Sequence, residues 1–464
     1  MSDFVVKVGG EGGTDSPTTA GEFMAQAAIR LGNSIFTMRS FPAEIRGGLA
    51  TYATRLCDHE VLSQGDGPDV LFCMNQEAYD KLARELSPGG VLVYDTDSVT
   101  IDAAGHPDLT LYGVPMQSLA QGHVGEKRTK NMVLLGVFSE LFGMPLETLR
   151  QCVRDKYGKR GEELVAVNHR ALEVGAEYVT QSLTKADPYR FEPRPEAAQR
   201  LMIIDGSQAI GMGALAAKVD FFAGYPITPA TDVMQFLAQH LPTLGGQVIQ
   251  VEDEIASLGA CLGASFTGAK SMTATSGPGL SLMVELLGLA SMVEMPVVVV
   301  DVQRGGPSTG LPTKSENGDL NLAALGAHGD APRVVVAPAN VVDCFYDTVG
   351  AFNLSEAYQT PVIVLSDQSM AMRAQAMPVP DMDAVELRYR KLVDDDDAAD
   401  YRRYALTTDG VSAVALPGTG TRAYHMITGL SHDEQGYPST NDGPLSVAMM
   451  HKRQRKIDAV RSEP

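Results

Sequence analysis

Four short segments in the middle of the chain place carboxylate, hydroxyl, guanidinium or glycine residues where a strand gives way to a helix. Gln250-Val251-Glu252-Asp253-Glu254 sets three acids at a helix start. A carboxylate kept from water at such a point can exchange a proton with a ligand. Acids in a first turn are also favoured by the helix macrodipole, so capping explains all three without any function. Ahead of them, GYPITPATD follows the strand-like Phe221–Ala223 and spaces Pro226 and Pro229 around Thr228. A rigid loop there can hold the Thr228 hydroxyl and nearby amides towards a ligand, and an ordinary capped strand–helix connection fits as well. In ATSGPG, a strand runs into Gly277-Pro278-Gly279 and a helix, exposing amides at a helix N-terminus. In VQRGGPSTGLPT, Arg304 ends a valine-rich strand and leads a hydroxyl-rich loop. Its planar fork suits a carboxylate, and a plain surface arginine is the alternative.

The elements that must position these residues form two α/β blocks. From Arg200 onward strands are expected at Phe221–Ala223, Gln247–Gln250, Ser271–Thr275, Val297–Val302, Arg333–Ala337 and Pro361–Ser366, alternating with helical stretches. The β-branched runs are non-alternating, as parallel strands covered on both faces require, so a doubly wound parallel sheet with its ligand at the C-terminal strand ends is the economical reading. The helix opened by Glu254 is expected to bury Ile255, Leu258, Leu262 and Phe266 and, through Gly259 and Gly263, to pack very closely. Residues 1–185 alternate strands and helices in the same way. Residues 186–199, which begin ADPYRFEPRPE, read as a linker, 200–370 as the second domain, and 371–464 as an extended arm with short helices, including a surface one at His451–Lys456. In the first block the turns Gly9-Gly10 and Gly12-Gly13, with Arg46-Gly47-Gly48, could cradle a phosphate, although GxGxxG spacing fails and glycine clusters alone are weak evidence.

Bulk properties narrow the class. With 37 basic against 57 acidic residues the net charge is −20, which disfavours nucleic acid and anionic membranes as partners. No basic segment leads into a long apolar stretch at the N-terminus, and the apolar run Leu280–Val302 is broken by Glu285, Glu294 and Pro296, so a cytoplasmic protein without a membrane span is expected. The five cysteines form no CxxC pair, so no local metal or cluster site is expected and the thiols should be buried and reduced.

Taken together and in order, GYPITP, the EDE-I-A-S-x-G helix start, TSGPG and QRGGPSTGLPT resemble the pyrimidine-binding domain of 2-oxoacid:ferredoxin oxidoreductases, which use thiamine diphosphate. GGEGG, SFPAEIRGG and DVLFCMN resemble that family's gamma domain, and gamma fused ahead of alpha is most familiar in the 2-oxoglutarate type. The resemblance implies that Glu254 hydrogen-bonds the aminopyrimidine N1′ of thiamine diphosphate as the catalytic carboxylate, leaving Glu252 and Asp253 to cap. It implies that Thr228, Arg304 and Thr313 hold the 2-oxoacid, that Tyr225, Pro226, Ile227 and Gly277 line the thiamine side, and that Gly10, Gly13 and Arg46 are candidates for coenzyme A. Gly65-Asp66-Gly67 is followed by Asn75 too soon to be a diphosphate and magnesium signature. Mg2+, diphosphate and [4Fe-4S] ligands are therefore expected on a beta subunit, in an (alpha-beta)2 assembly that reduces ferredoxin and makes succinyl-CoA from 2-oxoglutarate. Pyruvate, branched-chain or aryl 2-oxoacids are alternative substrates. A non-catalytic coenzyme A- or nucleotide-binding assembly subunit is the alternative of another class. Related subunits commonly carry a further α/β domain after the arm, which is not present before Pro464.

Overall fold

A computed structural model describes residues 3–40, 47–194, 201–394, 400–419 and 423–463. The chain divides into two compact units, one of residues 1–204 and 373–379 and the other of residues 205–372 and 380–464.

The first unit is built on an eight-stranded sheet. Its strands are β1 (Asp3–Glu11), β2 (Ser34–Ser40), β3 (Leu49–Cys57), β4 (Val70–Cys73), β5 (Val91–Asp95), β6 (Thr110–Val114) and β7 (Leu201–Asp205), with β14 (Ala374–Pro378) returning from late in the chain, in the order β6-β5-β4-β1-β3-β2-β14-β7. β1, β4, β5 and β6 run parallel, whereas β1, β3, β2 and β14 alternate in direction. Helices α1 (Pro17–Arg30), α2 (Gln76–Leu82), α3 (Met116–Leu119), α4 (Lys130–Phe142), α5 (Leu146–Tyr157) and α6 (Glu162–Ser182) accompany it. Period-two alternation explains the layering: Val6, Val8, Phe72, Val91 and Val93 enter one core with α1, α4, α5 and α6, while Leu71, Cys73 and Leu92 enter a smaller one with α2.

Residues 186–194, within the stretch read as a linker, pack against the first unit. Asp187 and Phe191 are buried, and Phe191 and Arg194 donate backbone hydrogen bonds to Phe142 and Leu31. β7 extends the first sheet, so the first unit runs to Ile204, and residues 373–379, expected in the arm, supply another of its strands. Proline content marked the absence of a helix there, and carried no information on long-range pairing.

The second unit carries β8 (Phe221–Gly224), β9 (Gln247–Gln250), β10 (Ser271–Thr275), β11 (Val297–Gln303), β12 (Val334–Val336) and β13 (Pro361–Asp367) in the order β12-β13-β11-β10-β8-β9, every pair parallel. Its helices are α7 (Gly206–Ala216), α8 (Thr231–His240), α9 (Glu254–Phe266), α10 (Gly277–Met292), α11 (Leu320–Leu325), α12 (Val341–Tyr358), α13 (Gln368–Met372) and α14 (Gly443–Val460). All seven residues of β11 are buried, as its valine run requires. In α9, Leu258, Cys261 and Leu262 face the core, but Ile255 is 50% exposed, a Cβ on Gly259 would meet Leu286 at 3.8 Å and Gly263 has open space beside it, so the very close packing expected of the glycine face is not formed among the described residues.

The basic C-terminal segment is not a short surface helix. It lies within the 18-residue α14, whose Lys452 and Lys456 are buried and paired with buried Glu294. Arg403 donates to the Glu294 carbonyl at 2.6 Å. The five cysteines are buried, reduced thiols, and among the described residues no helix is long and apolar enough to cross a membrane.

Candidate active site

In a parallel sheet all strand C-termini share one edge, and the strand order reverses at β8: β9 lies on one side of it and β10 on the other. The loops leaving β8 and β10 therefore diverge and open a crevice, where doubly wound sheets bind ligands. The GYPITP loop leaves β8, Glu254 opens α9 after β9, TSGPG joins β10 to α10, and Arg304 leaves β11. Four segments scattered over some ninety positions of sequence are thus gathered at one edge because each follows a strand of one sheet.

Asp253 is the N-cap of α9 and accepts from the Ala256 amide at 2.7 Å, whereas Glu252 is exposed. With the cap supplied by Asp253, Glu254 is released from that task and folds inward, 5% exposed. Its carboxylate lies over the first turn of α10: a Cβ built on Gly279 would stand 2.5 Å from Glu254 Oε1 and 2.0 Å from Thr275 Oγ1. Only glycine fits there. Among the described residues none donates a hydrogen bond to this carboxylate. A buried acceptor left without a donor is an arrangement that a ligand N–H would complete.

Arg304 is 7% exposed and binds two loops at once, Nη1 donating to the Thr228 carbonyl at 2.6 Å and Nη2 to the Thr309 carbonyl at 2.9 Å. It thereby ties the GYPITP loop to its own. Burial lowers its pKa, and its Nε has no partner. The Arg304 loop is closed by Leu311 N to Gly305 O at 2.7 Å and Gly305 N to Lys314 O at 2.9 Å, and Glu316 accepts from the Gly306 amide at 3.1 Å. Thr313 is half-buried in that closed loop, Thr228, Tyr225 and Pro226 are exposed, and Ile227 is half-buried. Gly277 lies beside Asp319, where an added Cβ would be 2.5 Å from Oδ2.

The motif pattern missed a polar layer beneath these loops. Asp301, in the middle of β11, is fully buried with neither carboxylate oxygen partnered. Burial first, and the charge of Asp319 second, push its pKa well above the ordinary carboxylate range. Gln303 links the layer, accepting from the Asp319 amide at 2.9 Å and donating to the Ser366 carbonyl at 3.3 Å. The available signal was an acid inside an otherwise continuous valine strand.

In the first unit most amides of the glycine-rich turn, the candidate phosphate cradle, are already committed within the chain. The amides of Glu11, Gly12, Thr14 and Asp15 are spent on the chain's own acceptors, Asp15 Oδ2 taking that of Glu11 at 2.8 Å. Gly10 lies within β1 opposite Ala50, Gly13 turns with φ 83°, and Arg46 lies outside the described residues. Among the described residues one cysteine–histidine–carboxylate cluster, Asp3, Cys57 and His59, has metal-like spacing. Arg55 already donates to both Asp3 oxygens, at 2.8 and 2.7 Å, and holds that carboxyl at about 2.

Comparison with known proteins fits this architecture. Residues 212–452 match the family model "Pyruvate flavodoxin/ferredoxin oxidoreductase, thiamine diP-bdg", and residues 5–178 match "Pyruvate ferredoxin/flavodoxin oxidoreductase". The chain belongs to this family of 2-oxoacid:ferredoxin oxidoreductases, and its second unit contains the thiamine-diphosphate-binding module. Within the family it is most like the 2-oxoglutarate type. It is 32% identical to 2-oxoglutarate oxidoreductase subunit KorA of Mycobacterium tuberculosis, over 99% of this chain and 75% of the relative. It is 45% identical to 2-oxoglutarate synthase subunit KorA of Methanothermobacter marburgensis, over 52% of this chain and 62% of that protein. The structure of a 2-oxoglutarate:ferredoxin oxidoreductase from Magnetococcus marinus, with 2-oxoglutarate, coenzyme A and succinyl-CoA bound, superposes with a TM-score of 0.95 at 44% identity, covering 100% of this chain and 80% of that one.

Proposed function

We propose that the chain is the gamma-fused alpha subunit of an enzyme that oxidatively decarboxylates 2-oxoglutarate to succinyl-CoA and passes electrons to ferredoxin. The observation that carries this reading is the buried, donor-less carboxylate of Glu254 above Gly279. Thiamine diphosphate, when bound, would supply a carbon acid whose deprotonated form is the nucleophile for the substrate ketone. Glu254 suits the aminopyrimidine of that group because it is a buried acceptor at a glycine-lined turn, positioned to hold or move a proton at N1′. Tyr225, Pro226, Ile227 and Gly277 would border the ring.

Arg304 offers the charge for the substrate carboxylate. Its buried guanidinium uses two donors on the Thr228 and Thr309 carbonyls and keeps others free for an anion, with the hydroxyls of Thr228 and Thr313 carried on the same two loops. Direction is left to the redox partner, because the same groups serve carboxylation when electrons are supplied.

This chain provides one wall of such a site. Tyr225, Ile249, Ile255, Leu282, Leu311 and Leu320 are all exposed on segments at the C-terminal strand ends, which supports a beta subunit docking there with Mg2+, the diphosphate site and a [4Fe-4S] cluster in an (alpha-beta)2 assembly. Coenzyme A is the expected acyl acceptor, in keeping with the Magnetococcus marinus structure. Gly10, Gly13 and Arg46 are its candidate contacts in the first unit, beside the amides of Glu11, Gly12, Thr14 and Asp15 that the chain itself engages.

The test is turnover of 2-oxoglutarate by the reconstituted complex. Glu254→Ala is expected to lower kcat by about 100-fold or more with the fold intact by circular dichroism. Arg304→Met is expected to lower kcat/KM by about tenfold or more. Near-normal turnover of Glu254→Ala, or a wild-type complex that prefers pyruvate or a branched-chain or aryl 2-oxoacid, would overturn the catalytic or the substrate assignment respectively.

A further inference from the structure

Three basic residues on α14 face inward, and two of them are accounted for. Lys452 and Lys456 are paired with Glu294. Arg453, between them in sequence, is 8% exposed and has no ion-pair or hydrogen-bond partner among the described residues, its Nε being fully enclosed. A guanidinium withdrawn from water without an acceptor is an unpaired buried charge and destabilises the fold. The cost is relieved if something accepts from it.

What stands beside Arg453 is a cavity of about 350 Å3 within the second unit, between the second half of α10, the loop after α11 and the start of α14. Its charges are mixed. Arg453 is set against two carboxylates, Glu285 on α10 and Asp330 on the loop, both exposed at its mouth. Burial lowers the Arg453 pKa, and the charges of Glu294 and then Asp330 oppose that shift, although no ion pair joins Arg453 to either. Between these poles lie apolar groups, Leu289, Met292 and Val447. A simple anion would meet Arg453 but also two carboxylates, and a simple cation would meet the carboxylates but also the guanidinium. A molecule with a carboxylate and an ammonium one carbon apart, and an apolar side chain, satisfies all three features.

We infer that this cavity binds an apolar α-amino acid, its carboxylate on Arg453, its ammonium towards Asp330 and Glu285, and its side chain on Leu289, Met292 and Val447. The cavity is distinct from the candidate active site: Glu285 lies eight residues along α10 from Gly277, or about 12 Å at the helical rise. α10 thus carries the active-site turn at one end and this pocket at the other.

The experiment is calorimetric titration of the full chain with L-leucine, L-methionine and L-valine, and with 4-methylpentanoate, which keeps the carboxylate and side chain of leucine but lacks the ammonium. At least one amino acid should bind saturably with a Kd of about 1 mM or tighter, and 4-methylpentanoate about tenfold more weakly than leucine. Arg453→Met and Asp330→Asn should each weaken binding by about tenfold or more, and Arg304→Met, in the other site, should leave it unchanged. If Arg453→Met does not fold, the exposed Asp330→Asn variant and the 4-methylpentanoate comparison decide. Absence of saturable binding by all three amino acids, binding unaltered in Asp330→Asn, equal affinity for 4-methylpentanoate, or loss of binding in Arg304→Met would each overturn the inference.

Discussion

Asp301 shows how one side chain can carry a pH-dependent cost without touching solvent. It sits in β11 with both oxygens unpartnered, and burial, followed by the charge of Asp319, raises its pKa well above 3.8. The folded protein therefore favours the protonated carboxyl. At pH values between the unfolded and folded pKa the unfolded chain binds fewer protons, so stability falls as pH rises through that window. Asp301→Asn removes the titration while keeping shape and hydrogen-bonding capacity. Its stability should match that of the parent near pH 4 and exceed it increasingly as pH rises, read by thermal unfolding across pH; an unchanged difference across that range would show that Asp301 is not held protonated. Glu254 is the contrasting buried acid, placed at a helix start over glycine, where a ligand can reach what Asp301 cannot offer.

At the level of elements, α14 is joined to the rest of its unit by a buried charge cluster. Burial by itself would raise the Glu294 pKa, but Lys456, Lys452 and Arg403 hold it at about 2. Lys452 Nζ donates to both Glu294 oxygens, at 2.6 and 2.5 Å, and to Ser412 Oγ at 3.1 Å. Glu294→Gln would leave two buried ammonium groups without a counter-charge and is expected to cost about 3–5 kcal/mol in chemical denaturation. Because the folded pKa lies below the unfolded value of 4.5, the carboxylate's contribution is complete above that pH and is lost as pH falls from 4.5 towards 2. The variant should accordingly lack that part of the acid-unfolding slope.

For the whole molecule, the chain crosses between its two units near residues 204, 372 and 379, because β14 completes a sheet begun hundreds of positions earlier. Excising residues 205–464 as a fragment would therefore also remove β14 from the first unit. On the proposed reading a second subunit completes the catalytic wall. Purified alone with thiamine diphosphate, Mg2+, coenzyme A and ferredoxin, the chain is expected to show no measurable 2-oxoglutarate turnover, and activity should appear on adding a beta subunit. Turnover by the isolated chain would contradict the split-site reading.

Much of this protein was legible from local signals. The motif order and the strands Gln247–Gln250 and Ser271–Thr275 were read at their observed bounds, since Gly245-Gly246 precedes the first and Ser276-Gly277 follows the second. Four segments following strands of one parallel sheet had to share an edge once that sheet was inferred. The spacing could not determine that Asp253 takes the cap and frees Glu254 to lie over Gly279, or that Arg304 spends two donors on Thr228 and Thr309. Nor could it place Ile255 at the surface, bury the lysines of α14 or extend the first sheet with β7 and β14. Those outcomes depend on which atoms meet across long separations, where hydrogen-bond geometry and desolvation decide, and neither is encoded in the periodicity of any one segment.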